Sequence, residues 1–319
     1  MVQFLVKRLI GFIFVALCVS FITFVLGYNA PGDPIRALLG QHQDPVLYAA
    51  LRHQYGLDLP WYQQYWNFLS GALRLNFGYS FHIQGKPVSE LIVQGIPFSA
   101  ELGFWGFVIT LLLGIPVGVV AALRANKWAD TTLMAIALIC WALPTFIIAI
   151  FAQVGIVWFD KWTGIQWPVA NWGTAWSYTP DDLQYKIVPI LIYALVGFAF
   201  YSRYTRTTLL ETLRQDYVRT ARAKGLAERL VVYRHAFRNA LIPLVTSIGL
   251  AFGFVIAGSF FIEQIFNIPG VASIGLQAIN DRDYPVIQAS VLLVASCVVI
   301  GNLISDLLYT VVDPRIKLE

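Results

Sequence analysis

The sequence predicts an all-α integral membrane fold: one domain over residues 1–319, crossing the bilayer as six transmembrane helices. Three observations carry this. Hydrophobic residues make up 58% of the chain and charged residues 13%, against the charged fraction of about 25% usual in soluble domains. Uncharged apolar stretches recur at 9–27, 102–123, 131–159, 240–262 and 284–305, with a shorter one at 187–202. Lys and Arg gather between alternate stretches, so the two sides of the membrane are chemically distinct.

A helix needs roughly 20 apolar residues to cross a bilayer core. Five stretches qualify as they stand; the fourth is extended past Arg203 to 187–210 and the sixth to 284–312. Lys7 and Arg8 precede the first. Its apolar run is longer than the core of a signal peptide, typically about 7–15 residues, so an uncleaved first span is expected.

Six spans place both termini on one side. The segments 1–8, 124–130, 203–239 and 313–319 hold 15 Lys/Arg, whereas 28–101, 160–186 and 263–283 hold 7 in twice the length. Positive charge favours the cytoplasmic side, so the first set, with both termini, is expected on the cytoplasmic face of the cytoplasmic membrane.

The outer segment 28–101 carries helical signals of its own. Asp44-Pro45 reads as an N-cap with Pro at the first helical position, and Gly56 as the stop. The run from Trp61 to Leu69 is rich in aromatics, which suits a membrane-interface girdle or a landing surface for an external protein. Within the spans, Pro116 and Pro144 predict kinks that serve packing or a hinge. Gly114-x-x-x-Gly118 and Gly249-x-x-x-Gly253 match the small-residue pattern of close helix contact.

Catalytic chemistry is not visible. There is no GxxxxGK[ST] phosphate loop, no HExxH and no paired-carboxylate or Ser/His/Asp arrangement. Cys18, Cys140 and Cys297 fall in apolar stretches without CxxC spacing, and the four histidines are scattered, so no metal site is expected. Asp181 and Asp182 read as a solvated loop or helix cap, and Glu101 and Glu263 near the outer span ends are assigned no substrate. The basic residues adjoin apolar spans, which excludes nucleic acid and leaves membrane lipid as a partner.

The loop 203–239 holds the strongest signal, with nine Lys/Arg against Glu211, Asp216 and Glu228. Leu213, Tyr217 and Ala221 recur at helical spacing and predict one apolar stripe. Gly225 sits where a helix would end in a left-handed turn, with Lys224 complementing the helix C-terminus. A second helix over 227–240 would lead into the fifth span. A positive-inside loop needs only a few charges, so the ordered helix–Gly–helix calls for a further role.

Tyr217-Val-Arg-Thr-Ala-Arg-Ala-Lys-Gly-Leu226, followed by Arg234-His-Ala-Phe-Arg-Asn-Ala-Leu-Ile-Pro243, resembles the cytoplasmic loop by which ABC-importer permeases dock on an ATPase subunit. Arg219-Thr-Ala221 stands where the wider superfamily has Glu-Ala-Ala, the style of the peptide branch. Pro31-Gly-Asp-Pro34, Tyr55-Gly-Leu-Asp58 with Gln64-Tyr65, Gly114-Ile-Pro-Val-Gly118, Glu263-x-Ile-Phe-x-x-Pro-Gly270, Arg282-Asp-Tyr-Pro285, Asp306-Leu-Leu-Tyr309 and Asp313-Pro-Arg315 extend the likeness along nearly the whole chain. It resembles the first-permease type of the dipeptide/oligopeptide/nickel importers.

The resemblance implies the type I ABC importer (MetI-like) fold with a cytoplasmic coupling helix, in a bacterial or archaeal membrane. It implies contact with the ATPase through Tyr217, Arg219, Thr220, Ala221, Arg222, Ala223, Lys224, Gly225, Leu226 and Glu228. The implied partners are a second permease, two ATP-binding subunits and an extracytoplasmic solute-binding protein. ATP and Mg would be bound by the partner subunits and no cofactor by this chain. Peptides are the implied cargo, with nickel chelates or oligosaccharides as the alternatives in the same branch. A secondary transporter would need mid-membrane relay residues, and a membrane enzyme a catalytic cluster.

Overall fold

The computed structural model describes residues 2–30, 32–39, 44–83, 85–257 and 259–312. The expected tail 313–319 with its Asp313-Pro-Arg315 motif, Pro31, and the side chains of Asp306 and Tyr309 lie outside the described residues. The described residues form helices and connecting loops, with a single isolated bridge between Tyr79 and Pro87.

The first helix, α1, runs Val2–Tyr28, and three short helices follow outside it: α2 Pro34–Leu39, α3 Pro45–Gln54 and α4 Trp61–Ala72. The local signals account for α3. Asp44 accepts from the Val46 amide, Pro45 takes the first helical position, and Gly56 adopts φ +66 just past the end. Tyr65 of α4 packs on Phe21 and Phe24 of α1, with its hydroxyl 3.1 Å from Ser20 Oγ, and leaves Trp61, Tyr62 and Trp66 exposed.

Helix α5 spans Val88–Leu123, so the last residues of the expected outer segment, together with Glu90, Pro97 and Glu101, belong to a 36-residue helix. The expected span 131–159 is not one helix. It divides into α6, Trp128–Ala142, and α7, Thr145–Thr163. Leu143 is extended, as the residue before a proline prefers, and Pro144 caps α7 without an amide to offer α6. Helix α8 spans Pro180–Leu213 and α9 Asp216–Ala223. The remaining elements are α10 Glu228–Leu230, a π-helical stretch Val231–Phe237, α11 Arg238–Ala257, α12 Phe260–Ile265, α13 Val271–Asp281 and α14 Tyr284–Val312. The expected fifth span, 240–262, therefore ends at Ala257 as a continuous helix and resumes as α12.

Among the described residues, five segments are long and apolar enough to cross a membrane: Arg8–Tyr28, Val88–Leu123, Thr145–Thr163, Pro180–Leu213 and Tyr284–Ser305. Helix α1 exposes Leu9, Ile10, Ile13, Phe14, Ile22 and Leu26, a surface suited to acyl chains.

Helices α5 and α8 run side by side in the same direction. Gly114 lies against Tyr201, and a Cβ on Gly118 would come within 2.5 Å of the Ser202 carbonyl and 2.6 Å of Thr205 Cβ. The small-residue pattern thus marks a backbone approach that a larger residue would break. Helix α11 packs on α14, which also lies along α1. Buried apolar residues gather in three places: around Leu102, Trp172, Ile190 and Phe266; around Val88, Ile92, Val271 and Val286; and around Leu209, Val218, Val231 and Ala240 beneath the basic loop.

Candidate functional site

The basic loop is built on the end of α8. That helix continues to Leu213, so the first third of the expected loop 203–239 is rigid helix, and the chain turns only at Arg214 and Gln215. At its base Arg206 clamps Asp130 of α6 with two bonds of 2.6 and 2.7 Å, and Asp130 also accepts from the Asn126 amide at 2.8 Å. This bidentate pair ties α6 to α8 where the loop departs.

Helix α9 seats Val218 and Ala221 against Val119, Ala122, Leu209, Val231 and Ala236. The expected stripe of Leu213, Tyr217 and Ala221 is not a single face. Leu213 is half-buried and Ala221 buried, but Tyr217 is 42% exposed. Within α9 the buried positions are Val218 and Ala221, so the packed direction lies between them and Tyr217, though one turn before Ala221, falls to its edge.

Gly225 closes α9 in the left-handed conformation at φ +75, with open space where a side chain would stand. Its amide donates to the Arg222 carbonyl at 2.9 Å. Arg222 then reaches across the turn to Glu228, at 2.7 Å from Nη2 and 3.1 Å from Nε, which stitches α9 to the start of α10. The Arg222 guanidinium holds the Glu228 carboxyl below its ordinary range. The resemblance-derived residues Tyr217, Arg219, Thr220, Arg222, Ala223, Lys224, Gly225, Leu226 and Glu228 are all exposed, and Ala221 alone is buried. Leu226, Leu230 and Tyr233 add exposed apolar area beside the cations. A basic, partly apolar surface on a packed base is the kind that seats a protein partner.

A second polar cluster escaped the sequence reading. Lys186, placed by that reading in the outer loop before the fourth span, is a fully buried residue of α8. Its Nζ donates to Glu101 Oε1 and the Thr174 carbonyl at 2.8 Å, and to the Ser177 carbonyl at 2.7 Å. Glu101 also accepts from Trp172 Nε1 and the Trp176 amide, both at 2.8 Å. The connection between α7 and α8 is thereby pinned over the ends of α5 and α8. The other ambiguous carboxylate, Glu263, is buried and accepts from Ser99 Oγ at 2.8 Å and the Ser273 amide at 3.0 Å. Asp182 caps its own loop, accepting from Ser177, Thr179 and the Thr174 amide. Among the described residues no group of His, Cys, Asp and Glu could hold a metal ion.

Residues 114–318 match the family model described as "Binding-protein-dependent transport system inner membrane component", and residues 1–103 match the N-terminal model of the same systems. The chain belongs to this family. It is the inner-membrane permease of an ABC importer. The permease is 35% identical over 317 residues to the glutathione transport system permease protein GsiC of Shigella flexneri serotype 5b, covering 99% of each chain. It is 34% identical to the protein of that name in Escherichia coli K12, again over 99% of both. A putative peptide permease of Brucella ovis is 37% identical over 325 residues, with 99% of both chains covered. A solved chain from inward-facing structures of the MetNI methionine ABC transporter superposes with a TM-score of 0.56 at 18% identity, covering 70% of the permease and 96% of that chain. The superposition bears on the fold, and agrees with the type I arrangement expected from the sequence.

Proposed function

We propose that this permease forms half of an import pathway for di- or oligopeptides, driven by ATP-binding subunits that dock on residues 214–230. The observation that carries the docking is the exposed helix–Gly–helix: α9 is anchored by Val218 and Ala221 while Tyr217, Arg219, Lys224 and Leu226 face outward. Closure of the ATPases would push α9, and through its packing on Leu209 and Val231 would move α8 and α11 together. A ligand shifts such an equilibrium only through differential affinity for its states, so ATP must favour the ATPase arrangement that grips one position of this loop. ATP and Mg are held by those partners.

The cargo reading is supported by relatives named for peptide and glutathione transport, glutathione being itself a tripeptide. The rest of the complex in this reading is a second permease and an extracytoplasmic solute-binding protein, with both termini of this chain in the cytoplasm. The chain co-expressed with its genomic neighbours and reconstituted in proteoliposomes tests the reading. ATP-dependent uptake of labelled di- to pentapeptides is expected, with no ATP hydrolysis by the chain alone. Uptake confined to nickel chelates or oligosaccharides would overturn the cargo, and uptake independent of ATP would overturn the mechanism.

A further inference from the structure

Helix α4 is the element that the coupling role leaves unused. None of its residues is buried, and its side chains sort into strips. Tyr65 turns to α1, its ring centroid 5.4 Å from that of Phe21 and 5.3 Å from that of Phe24. Tyr62, Trp66, Leu69 and Leu73 follow one another at i, i+4, i+7 and i+11, with Tyr62 56%, Trp66 66% and Leu73 82% exposed. Gln63, Asn67 and Ser70 repeat that spacing one residue on and form a polar strip beside the apolar one. A helix with an exposed apolar strip, an adjoining polar strip and no buried residue has the make-up of one that lies in a membrane interface.

Depth along α1 points the same way. The apolar segment Arg8–Tyr28 is 21 residues long, or about 30 Å of helix. That is the thickness of a bilayer core and leaves no length to spare, so Tyr28 stands close to the core boundary. Phe24 and Ser20 lie inside that end, roughly 6 and 12 Å along the axis. Tyr65 meets both, its hydroxyl 3.1 Å from Ser20 Oγ, and Ser20 Oγ donates onward to the Leu17 carbonyl at 2.9 Å. Both hydroxyls are thus satisfied within the protein, as polar groups at hydrocarbon depth must be. Leu17 and Phe21, beside this contact, are exposed, as are Ile10, Ile13 and Phe14 towards the other end of α1. The apolar strip of α4 therefore continues the acyl-facing surface of α1, and Trp and Tyr are the side chains that gather at this level.

We propose that α4 is an interfacial helix, docked through Tyr62, Trp66 and Leu73 on the phospholipids of the leaflet around the Tyr28 end of α1, with Gln63 and Asn67 at headgroup level. A soluble protein would have to pass the headgroups to reach the strip, so its occupant is lipid. Tyr65 fastens the helix to α1, and the segment that follows α1 is thereby held down on the bilayer.

The test uses the full-length chain, with Cys18, Cys140 and Cys297 replaced by Ala, in vesicles of phosphatidylethanolamine and phosphatidylglycerol. A nitroxide is attached in turn to Tyr62→Cys, Trp66→Cys, Leu73→Cys and Gln63→Cys. Power saturation then compares collision with oxygen, which concentrates among acyl chains, and with chromium oxalate, which stays in water and is supplied on both sides. Labels at 62, 66 and 73 should favour oxygen, at a depth of about 5–10 Å, and the label at 63 should favour chromium oxalate. All four positions are exposed, so the labels displace no packing, and gel-filtration elution of each labelled chain checks the fold. Chromium oxalate reaching 62, 66 and 73 as freely as 63 would leave the strip in water, open to an external protein, and would overturn the proposal. Protection of the three from both reagents would set the strip against another protein chain and overturn it equally.

Discussion

Glu101 on α5 and Lys186 on α8 meet at 2.8 Å with both side chains shut off from water. Each also satisfies neighbours, Glu101 the indole of Trp172 and the Trp176 amide, Lys186 the carbonyls of Thr174 and Ser177. The pair therefore fixes a loop as well as two helices.

Breaking one side of such a pair leaves a buried charge and costs about 3–5 kcal/mol, whereas removing both charges costs much less. Lys186→Met is expected to lower the thermal midpoint of the detergent-purified permease sharply, and Glu101→Gln added to it should restore part of the loss. Additive losses in the two single variants and the double variant, read by thermal unfolding, would show that the pair is not coupled.

Gly225 has φ +75 but nothing within reach of an added side chain, so the cost of substitution there is conformational rather than steric. Gly225→Val should lose ATPase co-purification and uptake, while Gly225→Asn, which tolerates the left-handed region, should keep most of both. Equal behaviour of the two variants would put the requirement elsewhere.

Glu228 titrates below its usual range because Arg222 binds its charged form. A depressed carboxylate stabilises the fold above its unfolded pKa, and that contribution fades as pH falls through the folded value. Amide hydrogen exchange across 216–230, compared after correction for intrinsic pH dependence, should show lost protection only below the ordinary glutamate range. The loss should vanish in Glu228→Gln. Both groups are exposed, so the global midpoint should hardly move.

Asp283 holds the loop around Ser80 to the start of α14 across about two hundred residues of chain. Asp283→Leu leaves the Phe81 and His82 amides without their acceptor, and limited proteolysis should then cut within 77–87 while wild type resists. Unchanged cleavage would mean that the loop is held by other contacts.

What could be read in advance was local. The Asp44-Pro45 cap and the Gly56 stop lie within one short helix, and Gly225 within one turn, so the residues that decide them are adjacent in sequence. Tyr217 lies off the packed face because Val218 and Ala221 set the inward direction of α9, and a residue one before Val218 falls to its edge. Pro144 was expected to kink a span and instead divides it, since an extended Leu143 ends α6 before the proline. Lys186 escaped notice for a different reason. Its partner Glu101 is 85 residues away, and only packing of α5 on α8 reveals that both face inward. The cavity of about 460 Å³ between the end of α1, the helices α3 and α4 and the start of α14 is the same case on a larger scale, with walls drawn from Gly32, Tyr55 and Tyr284.

The π-helical stretch Val231–Phe237 lies between the exposed loop and α11, whose helix follows without a break. A π turn accommodates one residue more than an α turn. Straightening 231–237 to α geometry with every residue kept would turn everything before it by one residue's arc, about 100°, around the axis of α11. The exposed surface of α9 would survive in composition and fold yet face a different compass bearing. The bearing of α9 on the bundle is thus written into a count of residues per turn, not into any side chain.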